Sequence, residues 1–135
     1  PFFWMGNTAW LLPERLNREE AEYFLAKDRE AGYNVEQIQV LNAIPTFNVY
    51  GHQANNAEFD FSKVSKPGVY GYWEHLDYIV DTAERNGIYI AMDCIWGSML
   101  KQMDIKKAEN LGRFLATRYK DKPNIGCYGS RNKKD

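Results

Sequence analysis

Three apolar runs in the sequence each end on residues that could do chemistry. Asn7, Thr8 and Trp10 follow Pro1–Met5, Asn42 follows Tyr33–Leu41, and Trp96 and Gly97 follow Ile88–Ile95. Amides and hydroxyls can exchange hydrogen bonds with a polar ligand, and an indole offers a stacking platform to a flat apolar face. If the runs are parallel strands, these residues share the carboxyl-terminal edge of one sheet, where α/β folds bind ligands. Asp93 is the one carboxylate inside Ile88–Ile95, and its burial is costly unless it is paired. Two readings stay open for it: an acid with a perturbed pKa that acts on or binds a ligand, or a structural anion bonded to backbone amides or a base. Gln37 and Gln39 share one face of the second run by the period of two. They reach either an internal hydrogen-bond network or a ligand.

Other polar residues carry less. His75 and Asp77 belong to a helical stretch, and a histidine with no second ligand at metal spacing reads as a packing or capping group. His52 and Tyr50 lie in the long aperiodic stretch from Ala43 to Val69, His52 either near a ligand or simply solvated. No phosphate-binding glycine loop, GxSxG elbow or metal-spaced cluster occurs, so no cofactor or metal is expected. Cys94 and Cys127 each fall within a predicted strand and read as small hydrophobes. The basic cluster Arg131–Lys134 reads as solvated tail.

The elements that must position these residues follow from spacing. Pro1–Met5 reads as a buried strand followed by a loop, GNTAWLL. Asn17 and Glu20 form a capping-box start for a helix that shows Ala21, Phe24, Leu25 and Ala31 on one face and ends at Gly32. Tyr33–Leu41 is the second strand. The stretch 43–69 is too aromatic for disorder and reads as an ordered lid or wall beside the strand tips. Trp73, Leu76, Ile79, Val80 and Ala83 recur at helical spacing, Gly87 ends that helix, and Ile88–Ile95 is a strand covered on both faces. Asp104 caps a further helix with Ile105, Ala108, Leu111, Leu115 and Tyr119 as its stripe, stopped by Pro123. Ile125–Tyr128 is a fourth strand.

Alternation of strand and helix calls for a parallel sheet with right-handed crossovers. An open doubly wound sheet and the first half of a (β/α)8 barrel share this beginning. The 135 residues are enough for one domain, and 44% hydrophobic residues are ample for a core. A net charge of −1 gives no long-range reason to expect nucleic acid or an anionic membrane as partner. No leader-like segment and no run of membrane-spanning length appears, so the chain reads as soluble.

The motifs GNTAW, NVEQIQVLN, YWEHLDYIVDTAERNGIYIAMDCIWGS and AENLGRFLATRYKDKPNI, in this order, resemble the N-terminal half of the apiosidase-like (β/α)8 glycoside hydrolases. These bacterial proteins are grouped with glycoside hydrolase family 140 and its uncharacterised relatives. The resemblance covers nearly the whole chain. It implies that residues 1–135 form half of a TIM barrel, with four strands and three main helices, and that the parent cleaves a complex, plant-derived polysaccharide. It also implies a secreted or periplasmic parent with two catalytic acids on barrel strand ends, one on strand four and one in the second half. On the matching positions, Asn7, Thr8, Trp10, Gln39, Asn42 and Trp96 become candidate sugar-binding residues, and Tyr50 of the long stretch 43–69 is a further candidate. Two departures stand out. Asn7 replaces the Asp of the family's GDTAW-like motif, and Ser130 falls near the place of the expected strand-four acid. Hydrolysis requires two carboxyl groups flanking the bond, so this chain alone is expected to be inactive. The alternative is a non-catalytic carbohydrate-binding or self-assembling half-barrel, which pairs either with a second copy or with the missing C-terminal half.

Overall fold

The side chains that alternate along the middle strands sort the molecule into two faces. The computed structural model describes residues 2–129, with side chains through residue 125. Ser130, the basic tail and the Cys127 side chain therefore lie outside the described residues. The strands are β1 (Gly6–Thr8), β2 (Val35–Leu41), β3 (Tyr89–Ile95) and β4 (Ile125–Gly129). They form one parallel sheet in the order β1-β2-β3-β4. Among the described residues the order lacks the reversal that a doubly wound sheet requires.

Helices α1 (Leu12–Arg15) and α2 (Arg18–Glu30) follow β1, α3 (Tyr72–Arg85) precedes β3, and α4 (Ile105–Tyr119) precedes β4. Ile38, Val40, Ile90 and Met92 share one face of the sheet by register. They join Leu25 of α2, Leu76, Ile79, Val80 and Ala83 of α3, and Leu111, Leu115 and Tyr119 of α4 in one core. Burying an aliphatic side chain of this size contributes roughly 1.5–3 kcal/mol. This face therefore dominates stability and fixes the register, because a slip of one residue would turn every side chain over.

Local signals set the helix ends. Asn17 Oδ1 accepts from the Glu20 amide at 2.8 Å and Glu20 Oε1 accepts from the Asn17 amide at 3.1 Å, which completes the capping box. Asp104 Oδ1 accepts from the Lys107 amide at 2.8 Å. Gly87 turns the chain out of α3 at φ +68°, a conformation that side chains resist. Arg118 of α4 reaches Asp77 at 2.6 Å and Glu74 at 2.8 Å on α3, and Lys122 reaches Asp81 at 2.5 Å, so charge pins the two helices side by side. Among the described residues no helix is long and apolar enough to cross a membrane.

Several sequence expectations are corrected. Phe2–Met5 is not a buried strand: Phe3 is 76% exposed, and the first strand is Gly6–Thr8. The Asn34 side chain takes the pairing positions instead, accepting from the Met5 amide and donating to the Phe3 carbonyl. The following segment is not all loop, since it holds the short helix α1, with Pro13 in its first turn. In α4, Ile105 is 81% exposed because the first turn projects past the core. Phe114 contributes instead, stacked on Phe61 at 4.3 Å.

The long stretch between β2 and α3 is ordered by its asparagines. Asn48 Oδ1 accepts from the Tyr50 and His52 amides, Asn55 bonds Thr46 and Ala43, and Asn56 brackets Asp60. Phe59 and Phe61 are buried beneath it, and Trp73 Nε1 donates to the Ala54 carbonyl at 2.9 Å. These bonds satisfy backbone groups that would otherwise be lost in a buried loop.

Glu36 occupies a core-face position of β2 and is fully buried. Burial, reinforced by the neighbouring Asp28, pushes its carboxyl pKa from 4.5 to about 9. Among the described residues neither Glu36 oxygen finds a donor, as suits a protonated acid facing the Asp28 carboxylate. The folded state holds this proton after the unfolded chain has released it, so stability falls as pH rises from 4.5 towards about 9. Glu36→Gln removes that dependence. Denaturant melts should show the variant gaining on the wild type through this window, by at most about 1.4 kcal/mol per pH unit. Parallel pH curves for the two proteins would refute the assignment.

Candidate functional site

The face of the sheet opposite Ile38, Val40, Ile90 and Met92 is polar at its middle, between Val35 at one end and Leu41 and Ile95 at the other. Gln37 and Gln39 of β2 stand in register with Ala91 and Asp93 of β3, so their side chains share this face. Asp93 is 6% exposed and accepts from Gln37 Nε2 at 3.5 Å, a long contact beside its other interactions. Gln39 is 3% exposed, and its Nε2 donates to nothing among the described residues. A buried donor left without a partner costs about 1–3 kcal/mol, and a ligand hydroxyl would satisfy it.

Above these residues the strand ends are drawn together by backbone bonds. The Gln39 amide donates to the Trp10 carbonyl at 3.0 Å, and the Trp96 amide donates to the Leu41 carbonyl at 3.1 Å. The two indoles meet edge to face, with ring centroids 5.9 Å apart. Trp96 is 47% exposed, and a Cβ on Gly97 would meet nothing within 4 Å, so open space adjoins the ring. Asn42, next after β2, donates from Nδ2 to Glu14 Oε2 at 2.9 Å. Thus Trp10, Gln39, Asn42 and Trp96 assemble at one edge of the sheet, with Asp93 and Gln37 below.

Of the remaining candidates, Asn7 and Tyr50 lie elsewhere, while Thr8 shares the face of Gln37. Asn7 pairs in register with Glu36, which turns it to the helix side, where its Nδ2 donates to Asp28 at 2.7 Å. Its amide is committed there rather than at the indole pair. Thr8 is exposed and in register with Gln37. Tyr50 joins a separate cluster at the starts of α2 and α3, where its hydroxyl accepts from the Arg18 amide at 3.0 Å and its ring packs on His52, Tyr70 and His75. Arg18 lies over the Tyr70 ring at 4.7 Å.

His75 is a packing residue, as its helical position suggests. Its Nε2 lies 2.8 Å from the Leu16 carbonyl, which can only accept, so Nε2 carries the proton and Nδ1 accepts from the Tyr70 hydroxyl at 2.8 Å. Burial lowers its pKa against the pull of the Leu16 carbonyl, with Arg18 and His52 adding to the lowering. Asp77 is held by Arg118. Among the described residues no three of His, Cys, Asp and Glu gather where they could share a metal ion.

Glu14 is the site residue that sequence reasoning missed. It stands on α1, whose four residues are too few to show a helical period, and no motif marks it. Burial raises its pKa, while the bond from Asn42 and the charge of Arg15 lower it. Together these residues offer hydrogen-bonding amides and a carboxylate at the strand ends that carry two indoles, chemistry suited to a polyhydroxylated ligand with apolar ring faces.

Comparison with known proteins agrees with this architecture. Residues 1–132 match the family model described as apiosidase-like, catalytic domain. A solved structure titled glycoside hydrolase is 51% identical and superposes with a TM-score of 0.90 over 96% of this chain and 30% of its own. A glycoside hydrolase family 5 protein from Bacteroides vulgatus is 50% identical with a TM-score of 0.89, over 96% of this chain and 29% of its own. The endo-1,4-beta-mannanase from Rhizomucor miehei, at 14% identity and a TM-score of 0.64 over 98% of this chain and 44% of its own, shares the fold alone. No curated protein matches. The chain thus spans about 30% of the length of the first two of these structures. With its parallel sheet flanked by helices and its glycoside hydrolase-like fold, the chain belongs to the apiosidase-like catalytic domain family.

Proposed function

We propose that this chain forms the first half of a (β/α)8 barrel and supplies part of the carbohydrate site of a glycoside hydrolase acting on a complex, plant-derived polysaccharide. The observation that carries the reading is the Trp10–Trp96 pair at the carboxyl ends of β1 and β3, beside Asn42 and the unsatisfied Gln39 amide. Sugar rings present apolar faces to indoles and hydroxyls to amides, and barrel enzymes work at this end of the strands. The two similar structures at 50% identity or more are named as glycoside hydrolases, which supports a carbohydrate as the ligand.

Residues 1–135 alone are proposed to bind without hydrolysing. Of the carboxylates near the site, Asp93 is in contact with Gln37 within the sheet, and Glu14 is bonded to Asn42. Glycoside cleavage needs two carboxyl groups flanking the bond, whereas these two are engaged with amides of the chain. Calorimetric titration with size-fractionated oligosaccharides from a plant cell-wall hydrolysate should show binding that Trp96→Ala weakens about ten-fold, the loss of one aromatic contact. Aryl glycosides should show no turnover. Unchanged affinity in the variant, or turnover that depends on Asp93 or Glu14, would overturn the reading.

A second reading, a non-catalytic half-barrel that assembles with another copy, is favoured by the rim beside β1. Phe2, Phe3, Trp4 and Met5 are exposed there, next to a strand with no neighbour on its outer side among the described residues. Such an edge invites pairing with another chain. Light scattering decides between the readings: a stable mass of two chains supports assembly, and a single-chain mass at all concentrations rejects it.

A further inference from the structure

We propose that Glu14 is a positioning residue that orients Asn42 for the ligand, a claim that rests on the carbohydrate reading above. Asn42 is placed for direct contact because Leu41 before it holds the Trp96 backbone, and Gln39 holds that of Trp10. Asn42 thus stands at the end of β2, between the ends of β1 and β3 that carry the two indoles, with its amide turned towards α1. An amide offers a donor on one side and an acceptor on the other, and which one it shows a ligand depends on how it is held.

Glu14 makes that choice. An ionised carboxylate only accepts hydrogen bonds, so the bond from Asn42 Nδ2 to Glu14 Oε2 turns the Asn42 Oδ1 away from Glu14. That oxygen accepts no hydrogen bond among the described residues, which leaves it for a ligand hydroxyl. Glu14 is itself held firmly. Leu12 and Pro13 are buried and anchor α1, and the Glu14 amide donates to the Leu11 carbonyl at 3.1 Å.

The carboxylate also occupies a costly place. Its Oε1 is buried and accepts no bond among the described residues. The neighbouring Tyr72 hydroxyl does not relieve it, because Tyr72 donates to the Val40 carbonyl at 2.6 Å. Nothing in the packing of α1 requires an acid here, since Leu12 and Pro13 supply its contact with the core. The orientation of Asn42 is what the acid supplies. A donor and acceptor set in fixed directions is how a binding pocket gains specificity.

The test is a double-mutant cycle on binding of the same cell-wall oligosaccharides, with the Asn42 side-chain amide followed by nuclear magnetic resonance. Glu14→Gln should weaken binding roughly five- to ten-fold, because a glutamine can face Asn42 with either end of its amide. Asn42→Ala should weaken it at least as much, and Glu14→Gln added to Asn42→Ala should cost nothing further. A merely structural glutamate would give additive losses, which overturns the proposal. Independently, one Asn42 Nδ2 proton should exchange slowly with solvent in the wild type and rapidly in Glu14→Ala. Slow exchange that survives the substitution also overturns it. A wild-type chain that binds none of the oligosaccharides refutes the carbohydrate reading, and the amide exchange then decides alone whether Glu14 orients Asn42.

Discussion

The contact between the apolar face of the sheet and the stripe of α3 is the interaction on which the rest of the structure depends. Ile38, Val40, Ile90 and Met92 have no water-compatible alternative, and Leu76, Ile79, Val80 and Ala83 cover them. Because strand side chains alternate, committing this face to the core commits Gln37, Gln39, Ala91 and Asp93 to the other. The polar face is thus a consequence of core packing. A parallel sheet usually buries both faces in hydrocarbon, so two amides and a carboxylate between Val35 and Leu41 on the second face set its middle apart.

The strand ends inherit their arrangement from the same register. Backbone bonds carry it outward from Gln39 to Trp10 and from Leu41 to Trp96, bringing together indoles 86 residues apart in sequence. Around them the chain satisfies its irregular backbone with asparagines. Asn48, Asn55 and Asn56 hold the stretch before α3, and the aromatic cluster of Arg18, Tyr50, His52, Tyr70 and His75 ties it to the start of α2. Rigid surroundings of this kind keep a site in one geometry.

Features set by short-range chemistry were legible in the sequence. The Asn17–Glu20 box, the Asp104 cap, the Gly87 turn and the stripe of α3 need only neighbours a turn away. Trp10, Gln39, Asn42 and Trp96 were legible as candidates because each lies on or just beyond an apolar run, as Asn7 and Thr8 do. Features set by pairing were not legible. The run Phe2–Met5 has the composition of a buried strand, but the Asn34 side chain takes its hydrogen bonds and the strand begins later. That shift turned Asn7 to the helix side, since one residue of register exchanges the faces. Glu36 carried a readable signal, an acid sharing its face with Ile38 and Val40, which the apolar look of the run concealed. Glu14 carried none, since its role depends on a tertiary contact with Asn42.

The central claim is that carbohydrate binds on the polar face at the strand ends. The most direct measurement is to map amide and indole shifts of the labelled chain on titration with cell-wall oligosaccharides. The account predicts saturable shifts at Trp10, Gln39, Asn42 and Trp96, with the Phe61, Trp73 and Phe114 region unmoved. Shifts confined to the Arg18–Tyr50–Tyr70 cluster or to Phe2–Met5, with the strand ends silent, would contradict it.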